Sequence, residues 1–432
     1  MKTENSIRRE GCPKTVAGCS GSACPTRLLP LLLLLLPAVV QAQSYTNNYD
    51  IWAYTSNSGT ITITGYNGPG GDVTIPSVID GLPVSNIGGD AFGCSMSVSL
   101  GNVTIPDSVT NIESWAFVAS SITSVTIGKG VIGIGEQAFV SDLTAITVDA
   151  LNPVYSSIEG VLYDKSKATL IRYPGGKPGD YTLPDSVSRI GGSAFYNCQS
   201  LTSITIPASV SYIGDQAFFG CSSLNAITVD SQNAFFSTAD GVLFKKDGNL
   251  LIKFPSARGG SYAIPSGVKR IGDLAFDGDG LRNIFIPSSV SEIGDKAFSL
   301  SCITNFYFSG NAPNLGFMVF PMQWVDGTQP TLYYLPGTTG WSTTFGERPT
   351  ATWLLPYPVI LTTAPNFGIQ TNQFGFIISW ATNISVVVEA STNLTNPIWV
   401  PLQTNTLIGG SSFFSDPQWT NYPGRFYRLH SP

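Results

Sequence analysis

A chain of 432 residues with a single histidine, His430, has few routes to acid–base catalysis near neutral pH. His430 sits three positions from the C-terminus, where a frayed, solvated side chain is the expected state. No GxSxG, HExxH, Walker or EF-hand spacing occurs. Gly175-Gly176 and Gly259-Gly260 are turn glycines and not phosphate cradles, because no helical pattern follows them. Asp90, Glu136, Ser193, Asp215, Asp273 and Asp295 lie near a recurring Ala-Phe pair, where capping of a short helical turn explains them. Zinc is disfavoured by the lack of CxxC and of any nearby histidine. The expectation is a non-enzyme with no catalytic residue, no metal and no cofactor.

What remains is recognition chemistry. Arg282, Phe285, Asn305 and Tyr307 combine a cation, two aromatic rings and an amide within a short span, and Thr205 and Thr228 stand at matching strand positions upstream. Aromatic and arginine side chains dominate protein contact surfaces. Whether these six share a surface depends on the elements that carry them.

Those elements repeat. The Ala-Phe pairs that carry the repeat lie at 91–92, 116–117, 138–139, 194–195, 217–218, 275–276 and 297–298. Ten residues before each Ala from the second copy onward stands Pro106, Gly128, Pro184, Pro207, Pro265 or Pro287. Between them runs Val-x-x-Ile, as in Val187/Ile190 and Val210/Ile213, and a glycine follows that Ile in six of the seven copies. After Ala-Phe comes Leu-x-x-Ile-x-Ile, clearest at 201–206 and 281–286. Its period of two marks a strand with one buried face, and the following Pro ends it. No such unit can bury its own apolar face, so the units must stack.

The unit Ile-Pro-x-x-Val-x-x-Ile-Gly-x-x-Ala-Phe-x-x-Cys-x-x-Leu resembles the BspA-like class of leucine-rich repeats. Pro207, Val210, Ile213, Gly214, Ala217-Phe218, Cys221 and Leu224 match it at every named position. The resemblance covers about residues 73–310. It implies a mainly β, right-handed solenoid with short helical turns and a parallel sheet along one face. It also implies a secreted or surface bacterial protein, since several members are adhesins.

Two longer spacers, 148–184 and 229–265, are in register with each other: Gly160-Val-Leu-Tyr163 matches Gly241-Val-Leu-Phe244. Each reads as a β-hairpin insertion. Residues 43–72 carry a hairpin pattern suited to cap the first coil, and 311–355 read as a C-terminal cap. Residues 356–432, with short β runs such as Phe374–Trp380 and Arg425–Leu429, suggest a small sandwich-like module. Residues 1–42 read as a signal peptide: five Lys/Arg, then an apolar run from Leu28 to Val40, then small residues near Ala42. That run is too short to span a bilayer, which takes roughly 20 residues. The expected location is therefore extracellular or at the cell surface, with no membrane span in the mature chain.

Charged residues are only 12 % of the chain and the net charge is −6, which excludes nucleic acid as a partner. Beyond the leader, Cys94, Cys198, Cys221 and Cys302 fall at or within one residue of the same register after Ala-Phe. That column favours buried free thiols over disulfides. Stacked strands would also align Thr74, Thr104, Thr126, Thr147, Thr205, Thr228, Phe285 and Tyr307. The switch from Thr to aromatic in the last two coils is the specific lead. The expected partner is a protein or glycan. A purely architectural envelope role with self-association is the alternative, and packing of Phe285 and Tyr307 under the C-terminal cap is the alternative use of those rings.

Overall fold

The computed structural model describes residues 51–93, 99–118, 122–139, 142–278, 280–321, 329–362, 367–370 and 373–430. Residues 1–42, read above as a signal peptide, and Cys94 lie outside the described residues. All described residues belong to one compact unit, Ala42–Pro432, and none of their helices is long and apolar enough to cross a membrane.

The chain winds into a β-solenoid of about 12 turns. Each regular coil lays one strand on a sheet face, such as Leu201–Ile206, turns, and places a two-residue strand, such as Tyr212–Ile213, on the opposite face. Leu100–Ile105, Leu201–Ile206 and Leu281–Ile286 share one burial pattern, in which the first, fourth and sixth side chains are buried. This is the period-two alternation of a half-buried strand. Val and Ile of Val-x-x-Ile close the core from the other side, with Val187, Ile190, Val210, Val268 and Ile271 fully enclosed.

The helical turns expected at Ala-Phe are not there. The residue before Ala adopts positive φ in all seven copies: Asp90, Trp115, Gln137, Ser193, Gln216, Leu274 and Lys296, between 52° and 65°. A left-handed residue breaks a right-handed helix, so each segment is a tight turn. Among the described residues the helical elements are two 3₁₀ turns, Ile408–Gly410 and Trp419–Asn421. The acidic residues therefore do not cap helices. Asp273 Oδ1 accepts the Asp295 N–H of the next coil at 3.0 Å, and Asp295 Oδ1 accepts the Phe317 N–H at 2.7 Å. They tie coil to coil.

Within each block the same turn carries a ladder. Phe92, Phe117, Phe195, Phe276 and Phe298 each donate their N–H to the carbonyl of Ala116, Ala138, Ala217, Ala297 and Val319 in the next coil, at 2.8–2.9 Å. Their rings stack as they go. Centroids are 4.7 and 5.3 Å apart for Phe92–Phe117 and Phe117–Phe139, 5.3 Å for Phe195–Phe218 and 4.9 Å for Phe276–Phe298.

Three hairpins divide this stack into three blocks. Trp52–Asn57 with Thr60–Tyr66, Val161–Asp164 with Thr169–Arg172, and Val242–Lys245 with Leu250–Lys253 pair antiparallel with a bulge at the same place. Ile63, Leu170 and Leu251 then pair in parallel with Ile87, Ile190 and Ile271. Gly71, Gly179 and Gly260 follow at φ of 95°, 94° and 85°, each at a further register shift. Such φ is open to Gly at little cost. The amino-terminal hairpin is thus the first of three equivalent hairpins. Each hairpin also seeds its aromatic stack: Tyr66 on Phe92 at 5.8 Å, Tyr173 on Phe195 at 5.3 Å and Phe254 on Phe276 at 5.2 Å. In the two internal hairpins Tyr173 and Phe254 even take over the ladder, donating to the Ala194 and Ala275 carbonyls. Tyr155–Ile158 and Phe236–Ala239 add a third strand to the internal pair.

Two fully buried amides lock the coils that precede these hairpins. Asn152 donates to the Gly128 and Val131 carbonyls and accepts from the Val154 and Tyr155 N–H groups. Asn233 does the same with Pro207, Val210, Phe235 and Phe236, at 2.8–2.9 Å. Beyond the solenoid, Val359–Leu361, Gly368–Gln370, Gln373–Ser379 and Ser411–Asp416 form one antiparallel sheet, and Ser385–Ser391, Val400–Thr406 and Phe426–His430 another. Phe376, Ile378, Val386, Val388, Leu407 and Phe414 make a small separate core there.

Replacing Asn233 with Ala strips partners from four backbone groups, each worth about 1–3 kcal/mol when buried unpaired. Asn233→Ala should lower stability by at least about 3 kcal/mol in urea unfolding, whereas the exposed Asn225→Ala should stay within about 0.5 kcal/mol. Equal effects would mean that the buried amide does not hold the coil.

Candidate binding face

The sheet face presents the column anticipated from the strands, in three segments. Thr74, Thr104, Thr126 and Thr147 are cross-strand neighbours in the first sheet. Thr182, Thr205 and Thr228 align in the second. Ala263, Phe285, Tyr307, Tyr333 and Ala351 align in the third. Each break falls at an internal hairpin, which leaves the sheet and starts a new one. Thr205 and Thr228 therefore lie on a different sheet from Arg282, Phe285, Asn305 and Tyr307.

The third segment differs in kind. Phe285 stacks on Tyr307 at 4.9 Å and 13°, and Tyr307 on Tyr333 at 5.1 Å and 17°. These distances are close to the strand spacing of about 4.8 Å, so the rings stand upright on the sheet with their faces covering one another. Trp353, just past the Arg348–Thr352 strand, leans on Tyr307 at 5.0 Å and on Phe285 at 5.8 Å. All four side chains remain half-exposed. Burial against these neighbours pushes the Tyr307 hydroxyl above its ordinary range. Tyr333 and Trp353 escaped sequence reasoning because they lie beyond the recognisable repeat. The Leu332-Tyr-Tyr-Leu335 run was the available signal.

Beside the rings runs a polar row. Asn305 Nδ2 donates to Asn283 Oδ1 at 2.9 Å, and Asn283 Nδ2 to Ser261 Oγ at 3.1 Å. Arg282 is partly buried, and its Nη1 donates to the Cys302 carbonyl at 3.0 Å. Through that bond it braces the coil edge. On the first sheet Asn102 Oδ1 accepts from Ser124 and Thr126 in a similar cross-strand network.

His430 is exposed, but it is not frayed: it pairs with Val387 inside the last strand. No group of three or more His, Cys, Asp or Glu side chains among the described residues is placed to hold a metal. Cys198 and Cys221 are buried free thiols. Cys221 donates to the Phe195 carbonyl at 3.0 Å, and contact with Cys198 together with burial pushes its thiol well up.

A stacked coil of this kind, with its two-faced strand and Ala-Phe turn, defines a class. The family model for the BspA type leucine rich repeat region matches in six copies over residues 73–174, 179–250 and 253–323, more than half of the chain. The protein belongs to this family. It is similar to a leucine-rich repeat protein from Eubacterium ventriosum, at 23 % identity over 67 % of this chain and 71 % of that one, with a TM-score of 0.42. A leucine rich cell surface protein from Faecalibacterium prausnitzii shares 26 % identity over 63 % of this chain and 97 % of that one, with a TM-score of 0.29. The pneumococcal vaccine antigen PcpA shares 17 % over 68 % and 82 %, with a TM-score of 0.36. No curated protein matches the chain.

The burial of Cys198 and Cys221 has a direct readout. In a Cys94→Ser, Cys302→Ser background, a thiol reagent at mildly alkaline pH should modify neither residue in the folded protein and both after denaturation. Rapid labelling under native conditions would contradict the packing described.

Proposed function

We propose that this is a secreted or cell-surface recognition protein that binds a protein partner through the third sheet of its solenoid. The observation that carries the reading is the column Phe285–Tyr307–Tyr333 with Trp353 at its flank, on a face that elsewhere presents threonine. Threonine already satisfies an open strand face. Half-exposed aromatic rings add apolar surface that folding alone does not require, and such side chains anchor protein interfaces.

The ring orientation bears on protein against glycan. A sugar stacks on an aromatic face that lies open. Here interplanar angles of 13° and 17° turn the faces toward each other and leave the edges outward. A row of ring edges beside an amide row suits a polypeptide surface better. Leu354 and Tyr357, exposed just beyond Trp353, extend the apolar ground. Trp353 itself comes from the segment read as the C-terminal cap, so the cap shares in the patch and flanks it. The apolar leader at residues 28–40 supports export, and the family supports an interaction scaffold. An architectural role is the second reading, favoured by the recurrence of the ladder in all three blocks.

Threonine restores the strand chemistry of the other two sheets, so Phe285→Thr/Tyr307→Thr/Tyr333→Thr should fold. Against a hit from an extracellular protein array, the triple variant should bind at least about tenfold more weakly, a loss of about 1.4 kcal/mol or more. Undiminished binding by a folded variant would remove the patch from the account. Absence of any protein or glycan hit, together with ordered self-assembly of the mature chain, would favour the architectural reading.

A further inference from the structure

The two internal junctions can be compared position by position, and they differ in one respect. Arg172 and Lys253 occupy the same place: each pairs across its hairpin at the bulge, with Leu162 and Leu243, and each precedes the aromatic residue that enters the Phe stack. Both are buried, at 4 % exposure. In the first block the equivalent residue is Gly65, which pairs with Ala53, so no cation is needed for the fold.

Lys253 has a complete set of partners. Its ammonium is ion-paired with the buried Asp277 carboxylate. Asp277 also accepts from Ser256 Oγ and, at 2.7 Å, from the Gly220 N–H of the preceding block. Arg172 has no such partner. Its Nη1 donates to the Ser193 carbonyl at 2.9 Å, while Nε and Nη2 have no acceptor, and it makes no ion pair among the described residues. The residue matching Asp277 is Tyr196, whose ring is used against Phe219 at 5.0 Å, and the residue matching Ser256 is Gly175. The groups that face Arg172 are Tyr196, Cys198 and Cys221. Cys198 donates to the Tyr173 carbonyl at 3.5 Å, as a protonated thiol does, and the Cys221 thiol is held well up. Neither supplies the missing negative charge.

A third atom at this junction is also unmatched. Gln137, from the block above, donates Nε2 to Ser193 Oγ at 3.2 Å, and its Oε1 is buried with no partner. A half-turn of that amide lets Oε1 accept the Ser193 hydroxyl and aims Nε2–H where Oε1 stood. Gln137 and Arg172 are both tied to Ser193, one through its hydroxyl and the other through its carbonyl, and Arg172 Nε and Nη2 remain two unmatched N–H donors on a buried cation. A buried charge without a counter-charge is costly, by several kcal/mol.

We propose that Arg172, with Gln137, binds a small monovalent anion of the halide class between the first and second blocks, in the role that the Asp277 carboxylate has beside Lys253. The chain would thus close one junction with a covalently attached anion and the other with an ion taken from solution.

The test uses the mature chain. Its thermal midpoint should rise saturably when sodium chloride or bromide replaces sodium gluconate at constant ionic strength, as binding to the folded state alone requires. Crystals grown in bromide should show an anomalous peak contacting Arg172 Nε and Nη2. Arg172→Met should abolish the halide dependence. Should that variant fail to fold, Tyr196→Asp/Gly175→Ser, which rebuilds the second junction in the first, should fold and melt in gluconate near the halide-saturated midpoint, with no further halide response. Halide-independent melting of the unmodified chain, a water without anomalous signal at the site, or ultraviolet thiolate absorbance lost in Cys198→Ala would each overturn the proposal.

Discussion

Every coil of this protein is buried by the next, and the Ala-Phe turn is where that dependence is most exacting. The Ala carbonyl accepts the N–H of the preceding coil's Phe, and the Ala side chain itself is buried. Phe must be flat because its ring shares a column with rings about 5 Å away. The positive φ just before Ala turns the chain so that both requirements are met in one step. An isolated unit would hold a ring with no covered face and backbone groups with no partner, so stability must come from stacking.

Such a design has a weak point wherever stacking is interrupted, and the hairpins show how the interruption is handled. Each one hands the ladder and the aromatic column to a residue of its own, Tyr173 or Phe254, before the coils resume. The buried amides of Asn152 and Asn233 bind the last coil of one block to the approach of the next hairpin. The amino-terminal hairpin supplies a ring to the first coil, Tyr66 on Phe92. Capping and insertion are thus one structural element used three times.

Much of this was legible in the sequence because it rests on period and spacing. The strand with its buried Leu, Ile and Ile, the Val-x-x-Ile crossing and the buried pair Cys198 and Cys221 follow from alternation and register, whereas Cys302, one residue out of that register, is only half-buried. Equivalence of the two spacers was visible through Gly160-Val-Leu-Tyr163 and Gly241-Val-Leu-Phe244. The amino-terminal member escaped because its matching residues, such as Ala53 for Leu162 and Gly65 for Arg172, differ in size and charge while the backbone is the same. The turn at Ala-Phe differs from the helical expectation for a related reason. Asp-x-x-Ala-Phe suits a helix start by composition, and only backbone geometry reveals the left-handed residue before Ala. Asn152 and Asn233 carry no distinguishing sequence signal, since a buried polar residue looks like any loop asparagine until its four partners are in place.

The candidate face divides along the same line. Alignment of Thr205 with Thr228 and of Phe285 with Tyr307 follows from the repeat. That the two pairs belong to separate sheets does not, because it depends on where a hairpin leaves the face. Arg282 illustrates the limit of reading residue type as role. Arginine beside aromatics suggests a contact patch, yet a long side chain at a coil edge also finds backbone carbonyls, and here Nη1 is bound to Cys302 O. The rings have no such internal demand on their outer edges. Tyr333 and Trp353 enlarge the aromatic ground past the point where the repeat fades, and it is there, on the last sheet and its flank, that the solenoid's surface departs most from what its own folding requires.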